Sequence, residues 1–422
     1  MKVLLFSHTF LPTIGGRELV VHHLADALDR LGHDVRVFGP AGWWQHRHNH
    51  FRYPVVRHPN LLRFPFRARG LSRRIRERQL GWHLQWEVAR QGIDVVHAHT
   101  TYPTGYIATR VFSHLPVVLT PHGVDIDTIP QMGYGLRLDA DLKPRIDQAL
   151  ERATAITAIS EGIHTSLRSA GADDARIFDV PNGVDLVRFR GPPSSDVRGR
   201  LGLQPETKLI VTVGNFHPRK GHDLLIRAMR SISHAHPDAR LVIVGRGTEG
   251  LAPLIGELGL RDKVILTGSV ALPATFRCSA VPGNGGEDLL ADILKSASVA
   301  VSAGISEGAE GLSLAVLEAM AAGVPLVATR ITGNRDIVQS GQNGYLIEPS
   351  NVTALAESIC TVLALEDEGR AMGSAGRALV AGRYSWEAVA NQYLEVYEWA
   401  RLRTVSSQPQ RKGTAQRYGD SA

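Results

Sequence analysis

The sequence predicts an α/β protein with two facing, Rossmann-like, doubly wound domains and a cleft between them. Short apolar runs alternate with stretches of helical period, and this alternation restarts in the second half. The 422 residues, 43% of them hydrophobic, also exceed one typical domain. In doubly wound sheets, ligands bind beyond the carboxyl ends of the strands. Functional residues are therefore expected in the loops that follow strands.

The first half opens with a βαβ unit, which implies a parallel sheet. Val3–Phe6 is predicted as a strand, and Glu18–Leu31 as a helix with one apolar face that Gly32 ends. Val35–Phe38 is the next predicted strand. Further strands are expected at Asp94–Ala98, Val117–Thr120, Ala155–Ile159 and Ile177–Val180.

The second half repeats the pattern after a Pro- and Ser-rich stretch at residues 190–196. Its predicted strands are Leu209–Val213, Leu241–Val244, Val264–Thr267, Val299–Ser302, Leu326–Thr329 and Tyr345–Ile347. The expected organisation is an N-terminal domain at 1–190, a linker at 191–205, a C-terminal domain at 206–383, a closing amphipathic helix at 384–403 and a disordered tail at 404–422.

Composition excludes several classes of protein. The two cysteines, Cys278 and Cys360, provide neither a disulfide framework nor metal-ligand spacing, so no metal site is expected. The N-terminal apolar run is too short for a signal peptide, and eighteen apolar residues never run together, so a cytoplasmic protein is expected. The net charge of +6 fits an anionic partner, but no nucleic-acid motif is present.

The segment 306–325 is the most informative part of the chain. Leu314 to Ala321 has helical period, Gly323 ends it, and Glu310 precedes the helix while Glu318 lies within it. The amino terminus of such a helix attracts a phosphate. Two glutamates beside an anion site are suited to accepting hydrogen bonds from sugar hydroxyls. Alternatively, Glu310 is a surface residue and Glu318 a solvated mid-helix charge.

A glycosidase acid–base pair is disfavoured by the same spacing. Eight helical steps of about 1.5 Å separate Glu310 from Glu318 by roughly 12 Å, and glycosidase carboxylates lie roughly 5 to 9.5 Å apart. This estimate assumes that the first turn is helical.

Glycines and histidines collect after the predicted strands of the first half. Gly15 and Gly16 close the first strand-to-helix loop, where backbone can approach a phosphate, although a tight turn explains them equally well. His99 and His122 follow successive strands and so point to one cleft. His97 is expected to be a structural residue.

Cations and glycines follow the strands of the second half. Arg219 and Lys220 lie in a strand-to-helix loop and can neutralise a diphosphate leaving group; the alternative is two solvated surface cations. The turn from Gly245 to Gly247 follows the next strand and is suited to contact with a nucleotide base, with low specificity.

These motifs, in this order, resemble the retaining glycosyltransferases of family 4, which have the GT-B fold. The resemblance spans residues 1 to 403. It rests on Gly15-Gly16-Arg17-Glu18, Asp94 to His99, Thr120-Pro121-His122-Gly123, Ile156 to Ser160, Val180 to Asp185, Arg219-Lys220-Gly221, Glu310-Gly311-Leu312 through Glu318-Ala319, and Asn343-Gly344.

The resemblance implies roles in binding a nucleotide sugar donor. Glu318 would bind the ribose hydroxyls and Glu310 the donor hexose. The backbone of Gly311, Leu312 and Ser313 would lie near the hexose and the phosphates. Arg219 and Lys220 would bind the diphosphate, with Gly16 contributing from the opposite domain. Gly245 completes the predicted donor site.

For catalysis, the resemblance implies transfer with retained anomeric configuration and without a metal or other cofactor. His122 would lie near the reacting sugar, so His122, Glu310 and Lys220 form the predicted catalytic set. Gly15 and His99 would border the acceptor in the N-terminal, acceptor-binding domain. From its residue type, Trp43 is expected either to stack on an acceptor sugar or to join the Arg-rich surface at 57–90. The acceptor hydroxyl can pass its proton to the departing phosphate, so Glu310 is assigned to binding and orientation.

Two features depart from the family pattern. Asn215 follows Gly214 at a position where many family members have an arginine. Arg219 is expected to replace this missing charge, and the donor-phosphate role is assigned to Lys220 ahead of Arg219. Residues 271–286 form a Pro- and Gly-containing insertion, interpreted as a surface loop. Glu307 is a rival for the first glutamate, but its spacing to Glu318 is wrong.

An Arg-rich segment at 57–90 leaves two interpretations open. Its arginines and its tryptophans, Trp82 and Trp86, are suited to docking on the anionic inner face of the cell membrane. They are equally compatible with a solvated helix that has an ordinary buried apolar face.

The expected substrates are a UDP- or GDP-sugar and a glycan or lipid-linked acceptor of cell-envelope or exopolysaccharide synthesis. The alternatives are a sugar-nucleotide epimerase and a noncatalytic nucleotide-sugar-binding subunit; a nicotinamide-dependent oxidoreductase is disfavoured because the first loop has no Gly-x-Gly-x-x-Gly.

Overall fold

A computed structural model describes residues 1–11, 13, 15–40, 51–58, 70–270, 288–305 and 311–406. These residues form two parallel β-sheets, each covered by helices. The strands are β1 Lys2–Phe6, β2 Asp34–Pro40, β3 Val55–His58, β4 Val95–His99, β5 Val117–Thr120, β6 Ala155–Ala158, β7 Ile177–Asp179, β8 Lys208–Val213, β9 Ala239–Val244, β10 Val264–Gly268, β11 Val299–Ser302, β12 Leu326–Thr329 and β13 Gly344–Ile347.

The helices connect these strands and cover both faces of each sheet. They are α1 Gly16–Arg30, α2 Leu71–Gln91, α3 Tyr106–Val111, α4 Lys143–Arg152, α5 Glu161–Ser169, α6 Val197–Arg200, α7 His222–Ala235, α8 Ala252–Glu257, α9 Leu289–Lys295, α10 Leu314–Ala321, α11 Asn334–Ile337, α12 Val352–Ala364, α13 Glu366–Arg383 and α14 Trp386–Ser406. None of the described helices combines the length and the apolar composition needed to cross a bilayer.

The order of the strands in each sheet determines where the ligand-binding loops are expected. The first sheet has the order β3-β2-β1-β4-β5-β6-β7 and the second has the order β10-β9-β8-β11-β12-β13. In each sheet the order reverses beside the first strand, between β1 and β4 and between β8 and β11. Val3 pairs with Val35 of β2 and with Val95 of β4, so β1 is central and its residues 3–6 are fully buried. Loops at these two reversals are the expected ligand-binding positions.

The two facing Rossmann-like sheets and the GT-B arrangement confirm the predicted fold class, and each predicted strand is present with ends shifted by at most two residues. The sequence missed β3, which pairs with β2 through Val37 and Val55. It contains only two apolar residues before Arg57 and His58. An edge strand tolerates such polar residues because one of its sides is open, so it gave no apolar run to detect.

The last helix, α14, returns to the first domain. Val389, Tyr393 and Tyr397 pack in one core with β1 and α1. The imidazole of His97 is fully buried, with Nδ1 2.7 Å from the Tyr397 hydroxyl and Nε2 2.6 Å from Thr120 Oγ1. Burial, with smaller effects of His99 and His122, holds the pKa of His97 well below its usual range. His97 is therefore a neutral structural residue, as predicted.

The segments that connect the two domains begin and end at positions slightly different from those predicted from the sequence. Val184 and Phe189, which the sequence placed in the first domain, pack in the core of the second, together with Val197 of α6. The predicted linker thus contains a helical turn that belongs to that core. At the other end α14 continues to Ser406, beyond the predicted end at residue 403. The remainder of the predicted tail, 407–422, lies outside the described residues.

We expect Tyr397→Phe to destabilise the protein by about 1–3 kcal/mol, because the substitution leaves His97 Nδ1 buried without its partner. Urea unfolding monitored by circular dichroism measures this change. The control is Tyr345→Phe, at a half-buried ring on the edge strand β13. Equal unfolding midpoints for the two variants would show that the link between His97 and Tyr397 does not stabilise the return of α14.

Candidate functional site

A cleft of about 790 Å³ lies between the two sheets, at the reversal points of both. Its walls are the loops after β1, β5, β8 and β9 and the start of α10. From the predicted site it includes Gly15, Gly16, His122, Arg219, Lys220, Gly245, Gly311, Leu312, Ser313 and Glu318. The structure thus brings together every predicted donor-binding residue in the described part of the chain.

Some predicted features lie outside the described residues. They include Glu310, its rival Glu307, the acceptor candidate Trp43, the insertion at 271–286 and the arginines of the 57–90 segment that fall within 59–69. The roles assigned to Glu310 and Trp43 stay predictions.

Two helix amino termini meet across the cleft. Helix α1 begins at Gly16 in the first domain and α10 begins at Leu314 in the second. A Cβ atom on Gly16 would stand 3.9 Å from Leu314 Cδ1, so the two ends are in near contact. First-turn N–H groups and the positive ends of both helix dipoles therefore face the same space. This arrangement is suited to an anion such as a diphosphate.

Cations border this space on the side of the second domain. Residues Pro218–Lys220 form a 3₁₀ turn that ends at Gly221, whose φ of 64° is left-handed. A Cβ there would lie 1.9 Å from the Ala303 carbonyl oxygen, so only glycine fits this turn. The Arg219 guanidinium carbon lies 3.9 Å from the ring centroid of Tyr134, a residue of the first domain. This cation–π contact spans the cleft.

Asn215, the departure from the family pattern, joins two loops of the cleft wall. Its side-chain oxygen accepts a hydrogen bond from the Arg246 backbone N–H at 3.0 Å. Beside it, a Cβ on Gly245 would lie 2.0 Å from the Gly214 carbonyl oxygen, so the loops after β8 and β9 are in backbone contact. Asn215 therefore fixes the position of the Gly245 turn.

Glu318 lies in a buried ion-pair network at the base of the cleft. Arg188 Nη1 donates to Glu318 Oε1 at 3.2 Å, while Arg188 Nε and Nη2 donate to Asp288 at 2.5 and 3.1 Å. Burial raises the pKa of Glu318 to about 6; the charge of Arg188 opposes this shift, and Asp288 and Asp185 add to it. Glu318 is 9% exposed, so the alternative of a solvated mid-helix charge is wrong.

The histidines behind the cleft form a layered pair. His99 Nδ1 lies 3.2 Å from His122 Nε2, and the Asp125 carboxylate accepts from the backbone N–H of His122 at 2.9 Å and of Thr101 at 2.6 Å. Burial, then the charges of His99, Arg17 and His8, holds the pKa of His122 well below its usual range. A neutral imidazole therefore faces the cleft near neutral pH.

His99 does not reach the cleft. It is fully buried behind His122 and is absent from the residues that line the cavity. The sequence placed it at a strand end, but β4 is covered by the loop of the neighbouring strand. His99 therefore does not line the cleft in this structure, and its acceptor-binding role stays a prediction.

Several cleft residues had no assigned role in the sequence. Arg17 was visible in the first motif, but nothing in that motif distinguished its side chain. Asn182 donates through Nδ2 to the Leu312 carbonyl oxygen at 2.8 Å and thereby joins the domains. Tyr134 and Arg188 lie in stretches without periodicity. Their positions depend on how the domains approach each other, which local patterns do not encode.

Within the described residues, no group of three or more His, Cys, Asp or Glu side chains is placed to hold a metal ion. The cations and helix termini provide the positive charge in this part of the cleft. Metal-independent chemistry stays a prediction.

Comparison with known proteins gives a consistent family. The family model described as Glycosyltransferase Family 4 matches residues 14–188, and the model described as Glycosyl transferases group 1 matches residues 207–365. The two matches correspond to the two sheets.

Relatives and solved structures agree with these matches. A GDP-mannose-dependent alpha-(1-6)-phosphatidylinositol monomannoside mannosyltransferase of Mycobacterium tuberculosis is 30% identical over 410 residues, covering 92% of this chain and 96% of the relative. An N-acetyl-alpha-D-glucosaminyl L-malate synthase of Bacillus anthracis is 24% identical, with coverage of 92% and 95%. The crystal structure of Anabaena HepE in complex with UDP has a TM-score of 0.74 at 20% identity, covering 94% of this chain and 100% of HepE.

The raised pKa of Glu318 predicts a pH-dependent difference in stability between the protein and its Glu318→Gln variant. The folded-state pKa of about 6 exceeds the ordinary value of 4.5. The stability contribution of Glu318 is therefore fully present below about pH 4.5 and is lost as the pH rises through about 6, by on the order of 2 kcal/mol. Chemical unfolding at both ends of this window measures the change. The exposed Glu348→Gln is the control, and a difference that is constant with pH would contradict the buried site.

Proposed function

We propose that this chain, which belongs to the family 4 and group 1 glycosyltransferases, moves a hexosyl group from a UDP- or GDP-sugar to an acceptor hydroxyl with retained anomeric configuration. The acceptor is a glycan or a lipid-linked molecule of cell-envelope or exopolysaccharide synthesis. One observation carries the proposal: a buried carboxylate, a basic turn and two helix amino termini converge in one interdomain cleft.

The donor site follows from the charges of the cleft. Glu318 accepts hydrogen bonds from the two ribose hydroxyls, because a carboxylate presents two acceptor oxygens to a vicinal diol. The diphosphate lies between the starts of α1 and α10, beside Lys220 and Arg219. The base lies along the backbone near Gly245. Arg17, also at the cleft, adds a cation on the side of the first domain.

Catalysis depends on stabilising the leaving group. As the sugar–phosphate bond breaks, negative charge grows on the nucleoside diphosphate, and Lys220 with the helix termini stabilises it. The acceptor hydroxyl approaches the same face and passes its proton to the departing phosphate oxygen. Neutral His122 orients the reacting sugar, and Glu310 binds the hexose without forming a covalent bond. No metal takes part in this scheme.

The names of the relatives agree with this assignment at the level of substrate class. The Mycobacterium tuberculosis relative depends on GDP-mannose and acts on a phosphatidylinositol monomannoside, and HepE was crystallised with UDP. We therefore propose a nucleoside diphosphate sugar as donor and a lipid-linked or glycan acceptor.

We further propose that α2 docks on the anionic inner face of the cell membrane. Trp82 is 65% exposed and Trp86 is 56% exposed, although Leu80, Leu84 and Val88 of the same helix are buried in the core. The tryptophans therefore do not belong to an ordinary buried face. Their outer face also includes Leu71, Arg74, Ile75, Arg78 and Arg90. Exposed tryptophans beside arginines suit the interface of an anionic leaflet.

We expect either the UDP-sugars or the GDP-sugars, but not both, to raise the melting temperature of the protein. Lys220→Ala or Glu318→Ala should abolish this shift. The reason is that both side chains contact the donor. A thermal-shift screen of UDP- and GDP-sugars measures it, with Lys143→Ala and Glu348→Ala as surface controls. A shift that persists in both cleft variants would refute the donor pocket.

Incubation of the bound donor with and without acceptor separates the proposed activity from its alternatives. A transferase gives a glycoside whose anomeric NMR signal shows the configuration of the donor. An altered sugar nucleotide formed without acceptor would instead indicate an epimerase. Donor binding without any turnover would favour a noncatalytic subunit.

Membrane docking predicts that the protein sediments with vesicles of phosphatidylglycerol but not with vesicles of phosphatidylcholine at low salt. Replacing Trp82 and Trp86 together by Ala should reduce the bound fraction at least about fivefold, since each ring buries apolar area at the interface. Leu402→Ala, at a side chain exposed to 64% on α14, is the control. Unchanged sedimentation of the double variant would exclude α2 as the docking surface.

A further inference from the structure

Arg188 lies in the segment that connects the two domains, but its side chain belongs to the base of the donor cleft. It lines the cleft, and its side chain is 7% exposed. Nε and Nη2 bind both oxygens of Asp288, the residue that caps α9, and Nη1 binds Glu318 Oε1. One guanidinium thus joins the connecting segment, the start of α9 and the middle of α10.

The geometry leaves Glu318 with a defined orientation. Its Oε1 is held by Arg188 at 3.2 Å, and among the described residues no hydrogen bond is made to Oε2. Bidentate binding of Asp288 fixes the plane of the guanidinium, since its five N–H groups have fixed directions. The plane in turn fixes where Nη1 points. Arg188 therefore sets both the rotamer and the charge environment of Glu318.

We propose that Arg188 is a positioning residue for donor binding, which keeps Glu318 ionised and oriented toward the ribose hydroxyls. This inference rests on the proposed function, in which Glu318 binds the ribose. Arg188 itself does not touch the donor. Lysine would keep the charge but would bind Asp288 at only one point. The proposed role therefore also requires the two-point contact that the guanidinium makes with Asp288.

The charges around Glu318 explain why an arginine is needed at this position. Within the described part of the chain, three charged groups shift the pKa of Glu318: Arg188 and Asp185 from the connecting segment and Asp288 from the start of α9. Both aspartates and the burial favour the protonated carboxyl, whereas Arg188 favours the carboxylate. Without Arg188, the pKa of Glu318 would rise further from about 6, and the protein would hold a neutral carboxyl near neutral pH. A protonated carboxyl accepts fewer hydrogen bonds from the diol.

Calorimetric titration of a nucleotide sugar across pH tests the proposal. The donor is the UDP- or GDP-sugar that the wild-type protein binds, because its substituted diphosphate does not titrate between about pH 5 and about pH 8.5. The variants are Arg188→Met, Arg188→Lys, Asp288→Asn and Glu318→Gln, together with Arg188→Met in the Glu318→Gln background. The matched control is Arg190→Met, an exposed arginine two residues along the same segment.

The proposal predicts midpoint shifts of opposite sign. Wild-type affinity falls as the pH decreases through about 6. In Arg188→Met this midpoint rises by about one to two pH units, so affinity at pH 7 falls by roughly two- to tenfold and recovers as the pH is raised. In Asp288→Asn the midpoint falls, because one carboxylate that opposes ionisation is removed while asparagine still caps α9. Arg188→Lys keeps the wild-type midpoint because the charge remains, but it binds the donor more weakly at every pH because the two-point contact with Asp288 is lost. Arg190→Met retains the wild-type affinity and midpoint.

A purely structural ion pair gives a different result. It predicts that Arg188→Met weakens binding by one factor at every pH and by the same factor in the Glu318→Gln background, and either outcome overturns the proposal. If circular dichroism shows that Arg188→Met does not fold, wild-type affinity of Arg188→Lys at every pH overturns it instead, because the two-point geometry of the guanidinium would then have no role. Glu318→Gln with wild-type affinity would refute the donor pocket itself. Weak binding by Glu318→Gln without the midpoint shifts would refute only the role of Arg188.

Discussion

The site depends on the close approach of two helix amino termini, α1 from the first domain and α10 from the second. Each follows a strand at the point where its sheet reverses order, so both helix starts open on the same edge. A Cβ on Gly16 would lie 3.9 Å from Leu314 Cδ1, so the first turns of the two helices are neighbours. The positive ends of two neighbouring helices repel each other, and an anion bound between them relieves that repulsion. The cations, the Glu318 network and the neutral imidazole of His122 are arranged around that place.

The two halves are held in this relation by contacts that permit little change in side-chain size. A Cβ on Gly311 would lie 2.5 Å from Ile159 Cδ1, and Asn182 binds the Leu312 carbonyl oxygen directly. The return of α14 to the first domain, anchored through Tyr397 and His97, adds a second crossing. Glu318 joins this framework through Arg188, a residue of the first crossing. The donor pocket and the connection between the domains therefore share one buried ion-pair network.

Local patterns were sufficient for the strands, for α10 and for the residues at strand ends, because these depend on apolar periodicity and on the position of glycine. That Gly16, Lys220 and Ser313 lie together was predicted from the resemblance to family 4, which implies that all three border the donor phosphates. Properties that depend on three-dimensional packing were not accessible. The burial of His99 behind His122, the role of Arg188 and the exposure of Trp82 all depend on which face of an element meets its neighbour. The edge strand β3 was missed because its two apolar residues give no period.

The most direct test of the central claim is a crystal structure of the protein with an intact nucleotide sugar. It should place the ribose hydroxyls within hydrogen-bond distance of Glu318 and the diphosphate between the starts of α1 and α10, beside Lys220. A nucleotide bound with its ribose away from Glu318 and its phosphates away from both helix starts would contradict the account.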